Sequence, residues 1–89
     1  MEPISGTMTA GDRQYQITGN LEQQAVNGSR RWRGSIMLEN ANEMIPDTPN
    51  NLVKLELDDN RSGEFSISGI SFSRNGRREY WVESYGRFG

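Results

Sequence analysis

Apolar residues recur at every second position in six segments of the chain, and Gly, Asn and Asp residues separate these segments. A period of two is typical of β-strands with one buried face, whereas apolar residues spaced for a helix are nearly absent. The predicted strands are residues 4–10, 13–26, 29–39, 52–57, 64–73 and 78–88. The pattern therefore predicts an all-β domain, a small antiparallel meander of about six strands.

The dipeptide Asn27-Gly28 allows the register of the second hairpin to be tested. A two-residue loop of type I′ fixes which residues of the two arms lie opposite each other. The resulting pairs are Gln23 with Trp32, Leu21 with Gly34, Gly19 with Ile36, Ile17 with Leu38 and, on the other face, Glu22 with Arg33. The apolar faces of both arms coincide in this register, with Trp32 inward, whereas a slip of one residue would separate them.

The fifth segment changes its apolar phase, from Phe65 and Ile67 at odd positions to Ile70 and Phe72 at even ones. The change falls at Gly69, and a glycine at a phase change is typical of a β-bulge, which bends a strand. Six antiparallel strands in simple succession, bent in this way, are expected to form a barrel or a strongly coiled half-open sheet.

The last turn, residues 73–76, favours a three-residue loop with a glycine bulge, because that loop places Ile70 opposite Tyr80 and Ser68 opposite Val82. Tyr80 and Val82 then face the core. The side chains predicted to face outward on the sixth strand are Trp81, Glu83, Tyr85 and Arg87.

Residues 40–51 break the strand pattern with two prolines and four asparagines, and we expect a loop with one helical turn around Met44-Ile45. Long loops in small domains often carry function, so this segment is a candidate contact region. The alternative interpretation is a connection that crosses one end of the sheet.

The length and composition of the chain exclude several classes of function. The 89 residues are too few for a second core, so residues 1–89 are expected to form one domain. The absence of cysteine and histidine excludes thiol catalysis, histidine-dependent triads and ordinary zinc sites. The 12 acidic residues show no spacing that pairs two of them in a cleft, so we expect no enzyme activity and no cofactor.

The turn at residues 58–63 resembles the first half of a calcium-binding loop, with oxygen-bearing side chains at alternate positions before a glycine. The second half does not fit, because Gly69 stands where such a loop has its bidentate glutamate. We therefore interpret this turn as a polar hairpin turn and predict no metal site.

The sequence shows no basic segment followed by an apolar run at its N-terminus, and no stretch approaches the roughly 18 apolar residues that span a bilayer. The expectation is a cytoplasmic protein without a membrane partner.

Nine of the ten basic residues are arginine, and six of the nine form two clusters near predicted hairpin tips, at residues 30–33 and 74–78. Arginines beside aromatic rings can hold phosphates and stack on bases, although the net charge of −2 argues against a protein that coats nucleic acid. The candidate residues at these tips are Arg31, Arg33, Arg77 and Arg78. Solvated hairpin tips are the alternative.

The outward face of the sixth strand combines Trp81, Tyr85 and Arg87, the residue types most enriched among interface hot spots. If the sheet stayed open, this strand would also be an edge that could pair with a partner strand. The leading hypothesis is a protein-interaction module, an accessory subunit, inhibitor or assembly component that binds a partner or itself. The alternatives are a nucleic-acid-binding barrel that uses its arginine tips and a barrel that holds a small ligand.

Overall fold

The computed structural model describes the backbone of all 89 residues and every side chain except that of Val26. The strands are β1 (Glu2–Ala10), β2 (Arg13–Val26), β3 (Ser29–Leu38), β4 (Leu52–Leu57), β5 (Ser62–Phe72) and β6 (Arg78–Phe88). No helical turn forms around Met44-Ile45; the chain turns instead at Pro49–Asn51. Asn50 and Asn51 have left-handed φ values of +56° and +55°, a region that asparagine tolerates better than most residues, so this segment is a tight turn just before β4.

The six strands close into an antiparallel barrel in the order β1-β2-β3-β6-β5-β4, which confirms the predicted fold class. The strands do not follow one another in simple succession. Two three-stranded units, β1-β2-β3 and β4-β5-β6, join through the pairs β1–β4 and β3–β6. Residues 39–51 cause this order, because a long connection can cross the barrel end where a tight turn would pair β3 with β4.

The hairpin registers agree closely with the sequence prediction. In β2–β3, Leu21 lies opposite Gly34 and Gly19 opposite Ile36, as the Asn-Gly turn requires. The β5–β6 ladder is irregular between Ile67 and Gly69, which confirms the bulge. Ile70 lies opposite Tyr80 as predicted, but the expected pair of Ser68 with Val82 is wrong. Ile67 faces Val82 instead, because Ser68 is the extra residue that the bulge inserts.

Fourteen apolar side chains fill the barrel interior, and all six strands contribute to them. They are Ile4, Met8, Ala10, Tyr15, Ile17, Leu21, Ile36, Leu38, Val53, Leu55, Leu57, Phe65, Tyr80 and Val82. Ile70 and Phe72, expected inward, are 57% and 67% exposed. The reason is that the β4–β5 ladder stops at Ser66 and the β3–β6 ladder at Tyr80, so the β5–β6 hairpin extends past the core.

One end of the barrel is closed by Arg61, and we call it the Arg61 end. The guanidinium lies 5.6 Å from the Trp32 ring centroid and 5.5 Å from that of Phe88. It donates hydrogen bonds to Glu2 and Asp59, which lie on different segments of the chain. Trp32, predicted inward, is half-buried here with its ring 5.5 Å from Phe88 and at a steep angle to it. We call Arg61 with these contacts the cap, and it joins β1, β3, β6 and the β4–β5 turn.

The opposite end, which we call the loop end, is covered by residues 39–48. The Tyr15 hydroxyl donates to the Met44 carbonyl at 3.2 Å, and the Tyr80 hydroxyl accepts from the Ile45 amide at 3.4 Å. Both tyrosine rings are buried while their hydroxyls reach the loop backbone, which is how a tyrosine usually satisfies its polar end. The loop thus serves as a connection across one end of the sheet.

Gly34 offers a test of how closely the backbones of β2 and β3 approach each other. A Cβ at this position would meet the Asn20 carbonyl oxygen well inside van der Waals contact, whereas a Cβ at Gly69 meets no atom within 4 Å. We expect Gly34→Ala to lower the free energy of unfolding by about 1–3 kcal/mol through strain, with Gly69→Ala as the nearly neutral control. Urea denaturation measures both. Equal small effects would contradict the close β2–β3 approach.

Arg61 offers a test of the cap. Arg61→Ala should lower the free energy of unfolding by about 1–3 kcal/mol, and Arg61→Lys should recover only part of it, since an ammonium lacks the planar fork. The Arg61 hydrogen bonds hold the pKa of Asp59 below its usual 3.8. The stabilisation of the folded state by ionised Asp59 is therefore present above pH 3.8, and it is lost as the pH falls through the lowered pKa. Denaturation above and below pH 3.8 should show the effect of Arg61→Ala shrinking in acid; an effect that grows would contradict the assignment.

Candidate functional site

The sequence-predicted phase of β6 is confirmed. Tyr80 and Val82 are 3% and 1% exposed. Trp81, which lies between them, is 39% exposed, and Tyr85, three residues after Val82, is 63% exposed. Successive side chains of a strand point to opposite faces, so Trp81, Glu83 and Tyr85 share the outer surface of the barrel. The strand thus places two aromatic rings on the outside with a carboxylate between them.

β6 is not a free edge, because the sheet does not stay open. Arg33, Gly34, Ser35 and Ile36 of β3 pair with β6 on one side, and β5 pairs with it on the other. Closure of the barrel removes the edge along this part of the strand, since every strand of a closed barrel has two neighbours.

Five of the seven predicted binding residues lie on the barrel wall formed by β3 and β6. Arg33 lies opposite Glu83, and Arg31 is two residues nearer the Arg61 end on the same side of β3. We call the surface of these exposed or half-exposed side chains the β6 face, and its members are Arg31, Arg33, Trp81, Glu83 and Tyr85. Arg87 is exposed at its margin.

Arg77 and Arg78 are not part of this surface. Both lie in the β5–β6 hairpin at the loop end, whereas the cluster at residues 30–33 is at the Arg61 end. The Arg77 guanidinium donates to the carbonyls of Leu38 and Glu39 and so ties the hairpin to the end of β3. The Arg78 guanidinium lies 5.9 Å from the Phe72 ring centroid. The structure therefore places the two arginine clusters at opposite ends of the barrel.

A second irregularity of the β5–β6 ladder separates Tyr85 from Arg87. Gly63 pairs with Phe88 and the next residue, Glu64, pairs with Tyr85, so Gly86 and Arg87 are extra residues on β6. Gly86 has φ +83°, a backbone conformation that residues other than glycine rarely adopt. The predicted row of outward residues is interrupted here, and Phe88 turns in against Phe65, with ring centroids 5.0 Å apart.

Tyr85 lies between two surface depressions. One, of about 760 Å³, has Tyr85 among its lining residues, together with the polar side chains of Thr9, Lys54, Glu64 and Arg87. The other, of about 380 Å³, lies between β3 and β6, and Tyr85 borders it too. Tyr85 is thus an exposed aromatic ridge with charged side chains of both signs beside it.

Trp81 is fixed in place at the other half of the β6 face. Its indole Nε1–H donates to the Ser71 hydroxyl at 2.9 Å, and the Ser68 hydroxyl donates to the Trp81 carbonyl at 3.3 Å. The bond to Ser71 satisfies the polar end of the ring, and part of the apolar ring face remains in solvent. A tryptophan already held in one orientation loses little entropy on binding a partner.

The depression of about 380 Å³ marks a place where β3 and β6 separate. The ladder between them stops at Arg33 and Glu83. At the next step the Trp32 amide donates to the Ser84 hydroxyl at 2.9 Å, so a side chain replaces the backbone acceptor. We call the gap between residues 29–31 and 84–86 the open seam. Sequence reasoning missed it, although a glycine inside a strand, Gly86, was a signal for an irregularity.

The turn at residues 58–63 uses its carboxylates for contacts within the protein. Asp58 accepts a hydrogen bond from the Ser5 hydroxyl at 2.8 Å, and Asp59 accepts from the Arg61 amide at 3.1 Å. Among the described residues, no three His, Cys, Asp or Glu side chains are grouped so that they could hold a metal ion. The described residues also include no helix of the length and apolar character needed to cross a membrane.

Fold and surface together define a small closed antiparallel β-barrel with a filled interior and an aromatic and arginine-bearing outer face. Comparison of the chain with known protein families, curated proteins and solved structures gave no match.

Trp81 and Val82 provide a direct contrast between outer and inner faces. Val82→Ala should lower the free energy of unfolding by about 1–3 kcal/mol, because it removes buried apolar volume and leaves a partial cavity. Trp81→Phe, which removes only the Ser71 hydrogen bond and part of an exposed ring, should cost less than about 1 kcal/mol. Thermal and urea unfolding compare the two. A larger loss for Trp81→Phe would contradict the assignment of faces.

Proposed function

We propose that this protein is an interaction module, an accessory subunit, inhibitor or assembly component that binds a protein partner through the β6 face. The observation that carries the proposal is the position of Tyr85, which is 63% exposed and borders both depressions. Tyrosine, tryptophan and arginine contribute most of the binding energy at many interfaces, and this face combines all three on a rigid wall.

The charges of this face suit a protein partner more than a nucleic acid. Glu83 lies within the face and Glu64 lies opposite Tyr85, so carboxylates alternate with the arginines. A phosphate backbone would meet these carboxylates, whereas a protein surface can present both signs. The two arginine clusters also lie at opposite ends and so form no continuous basic stripe.

The filled interior weighs against a barrel that stores a small ligand. Seven large side chains are fully buried, including Phe65, Met8 and Ile17, and the two depressions described above lie on the outer wall. Small barrels generally fill their interiors with side chains. Binding at the outer face agrees with this architecture.

Capture from a native extract with variants of the full chain tests the proposal. The retained protein is identified, purified and titrated against each variant. We expect Tyr85→Ala to weaken its binding by about 2 kcal/mol while the melting temperature stays close to that of the wild type. Phe72→Ala is the matched control, because Phe72 is equally exposed, at 67%, but lies at the loop end.

Two outcomes would overturn the proposal. In the first, nuclease treatment abolishes capture and the purified chain binds mixed oligonucleotides with a steep salt dependence, which would favour the nucleic-acid alternative. In the second, Phe72→Ala weakens binding and Tyr85→Ala does not, which would move the interface to the loop end.

A further inference from the structure

We infer that the open seam is a strand-addition site, which accepts an extended acidic segment of the partner against the free edge of β3. The inference rests on the proposed function, because the segment would lie beside Tyr85 of the β6 face. Beyond the proposed function, it specifies that the bound segment of the partner is extended and acidic.

The backbone groups of β3 point alternately toward β2 and toward the seam. The tight turn makes Val26 and Ser29 a hydrogen-bonded pair, so the amides and carbonyls of odd-numbered β3 residues point toward β2. Those of even-numbered residues point the other way. The Trp32 amide confirms this alternation, since it bonds to Ser84 of β6.

The backbone amide and carbonyl of Arg30 face the seam. Arg30 lies opposite Ala25 in the hairpin, and by the same alternation its backbone groups point away from β2. The β3–β6 ladder has already stopped at Arg33 and Glu83. An extended segment that enters the seam can therefore form main-chain hydrogen bonds with Arg30, as in other cases where a peptide adds a strand to a sheet.

Positively charged side chains border the seam. Arg30 and Arg31 are exposed and line the depression, and Arg87 lies just beyond the Gly86 bulge. Glu83 is the one carboxylate among the residues that line it. The residues that line the depression carry two arginines against one glutamate, so a segment with Asp or Glu side chains is favoured over a basic or neutral one. Tyr85, at the side of the seam, can pack against an apolar residue between the acidic ones.

The test uses a displayed library of random 12-residue peptides selected on the full-length chain, followed by titration of synthetic copies of the selected peptides. We expect the selected sequences to be enriched in Asp and Glu at alternate positions, because alternate residues of an added strand face the same side. Selection of basic peptides, or of none, would overturn the inference.

Proline substitutions then separate backbone pairing from charge. Arg30→Ala removes only the side chain, whereas Arg30→Pro also removes the amide that faces the seam. We expect Arg30→Pro to weaken peptide binding about tenfold more than Arg30→Ala does. Ala25→Pro is the matched control, because Ala25 lies directly opposite Arg30 and its backbone points to the other edge, where the β1–β2 ladder reaches only to Leu21.

The variants also separate this inference from the proposed function. If Tyr85→Ala weakens binding of the captured protein but Arg30→Pro and Ala25→Pro have equal effects, the interface stands and strand addition is wrong. If neither Tyr85→Ala nor Arg30→Pro affects binding, both are wrong. Loss of binding in Arg30→Pro, with Ala25→Pro unaffected and melting temperatures matched, supports strand addition.

Discussion

The narrow interior of a six-stranded barrel is the constraint from which the rest of this structure follows. Eight strands already leave an interior that is only just wide enough for side chains, so six leave less. The fourteen buried apolar residues therefore fill the interior, and at Gly34 the backbones come so close that a Cβ would collide with Asn20. The interior thus has no room for a ligand, and only the outer wall and the ends are open to one.

The two ends are closed in different ways, and each closure uses polar groups that the core excludes. At the loop end, the hydroxyls of Tyr15 and Tyr80 reach the backbone of residues 44–45. At the Arg61 end, one guanidinium covers two aromatic rings and bonds to Glu2 and Asp59. The hydrogen bonds to these carboxylates raise the pKa of Arg61 further above its usual value, so the cap stays charged.

Closure of the Arg61 end and opening of the seam involve the same residues. The bulge at Gly86 and Arg87 lets Phe88 turn in beneath Trp32, where Arg61 covers both rings. In the same stretch β6 leaves β3, and Ser84 keeps only a side-chain contact with the Trp32 amide. The candidate site thus arises where the sheet gives up backbone pairing in order to close the core, which places free backbone groups beside Tyr85.

The sequence by itself determined the strands, the β2–β3 register, the bulge near Gly69 and the outward phase of Trp81 and Tyr85, because alternation and turn chemistry act between near neighbours in the chain. Tertiary structure alone decided that β3 pairs with β6 and β1 with β4. It also decided the cap by Arg61, the tie from Arg77 to Leu38 and the open seam. Each of these depends on segments far apart in sequence, whose meeting is set by how six strands share one narrow core.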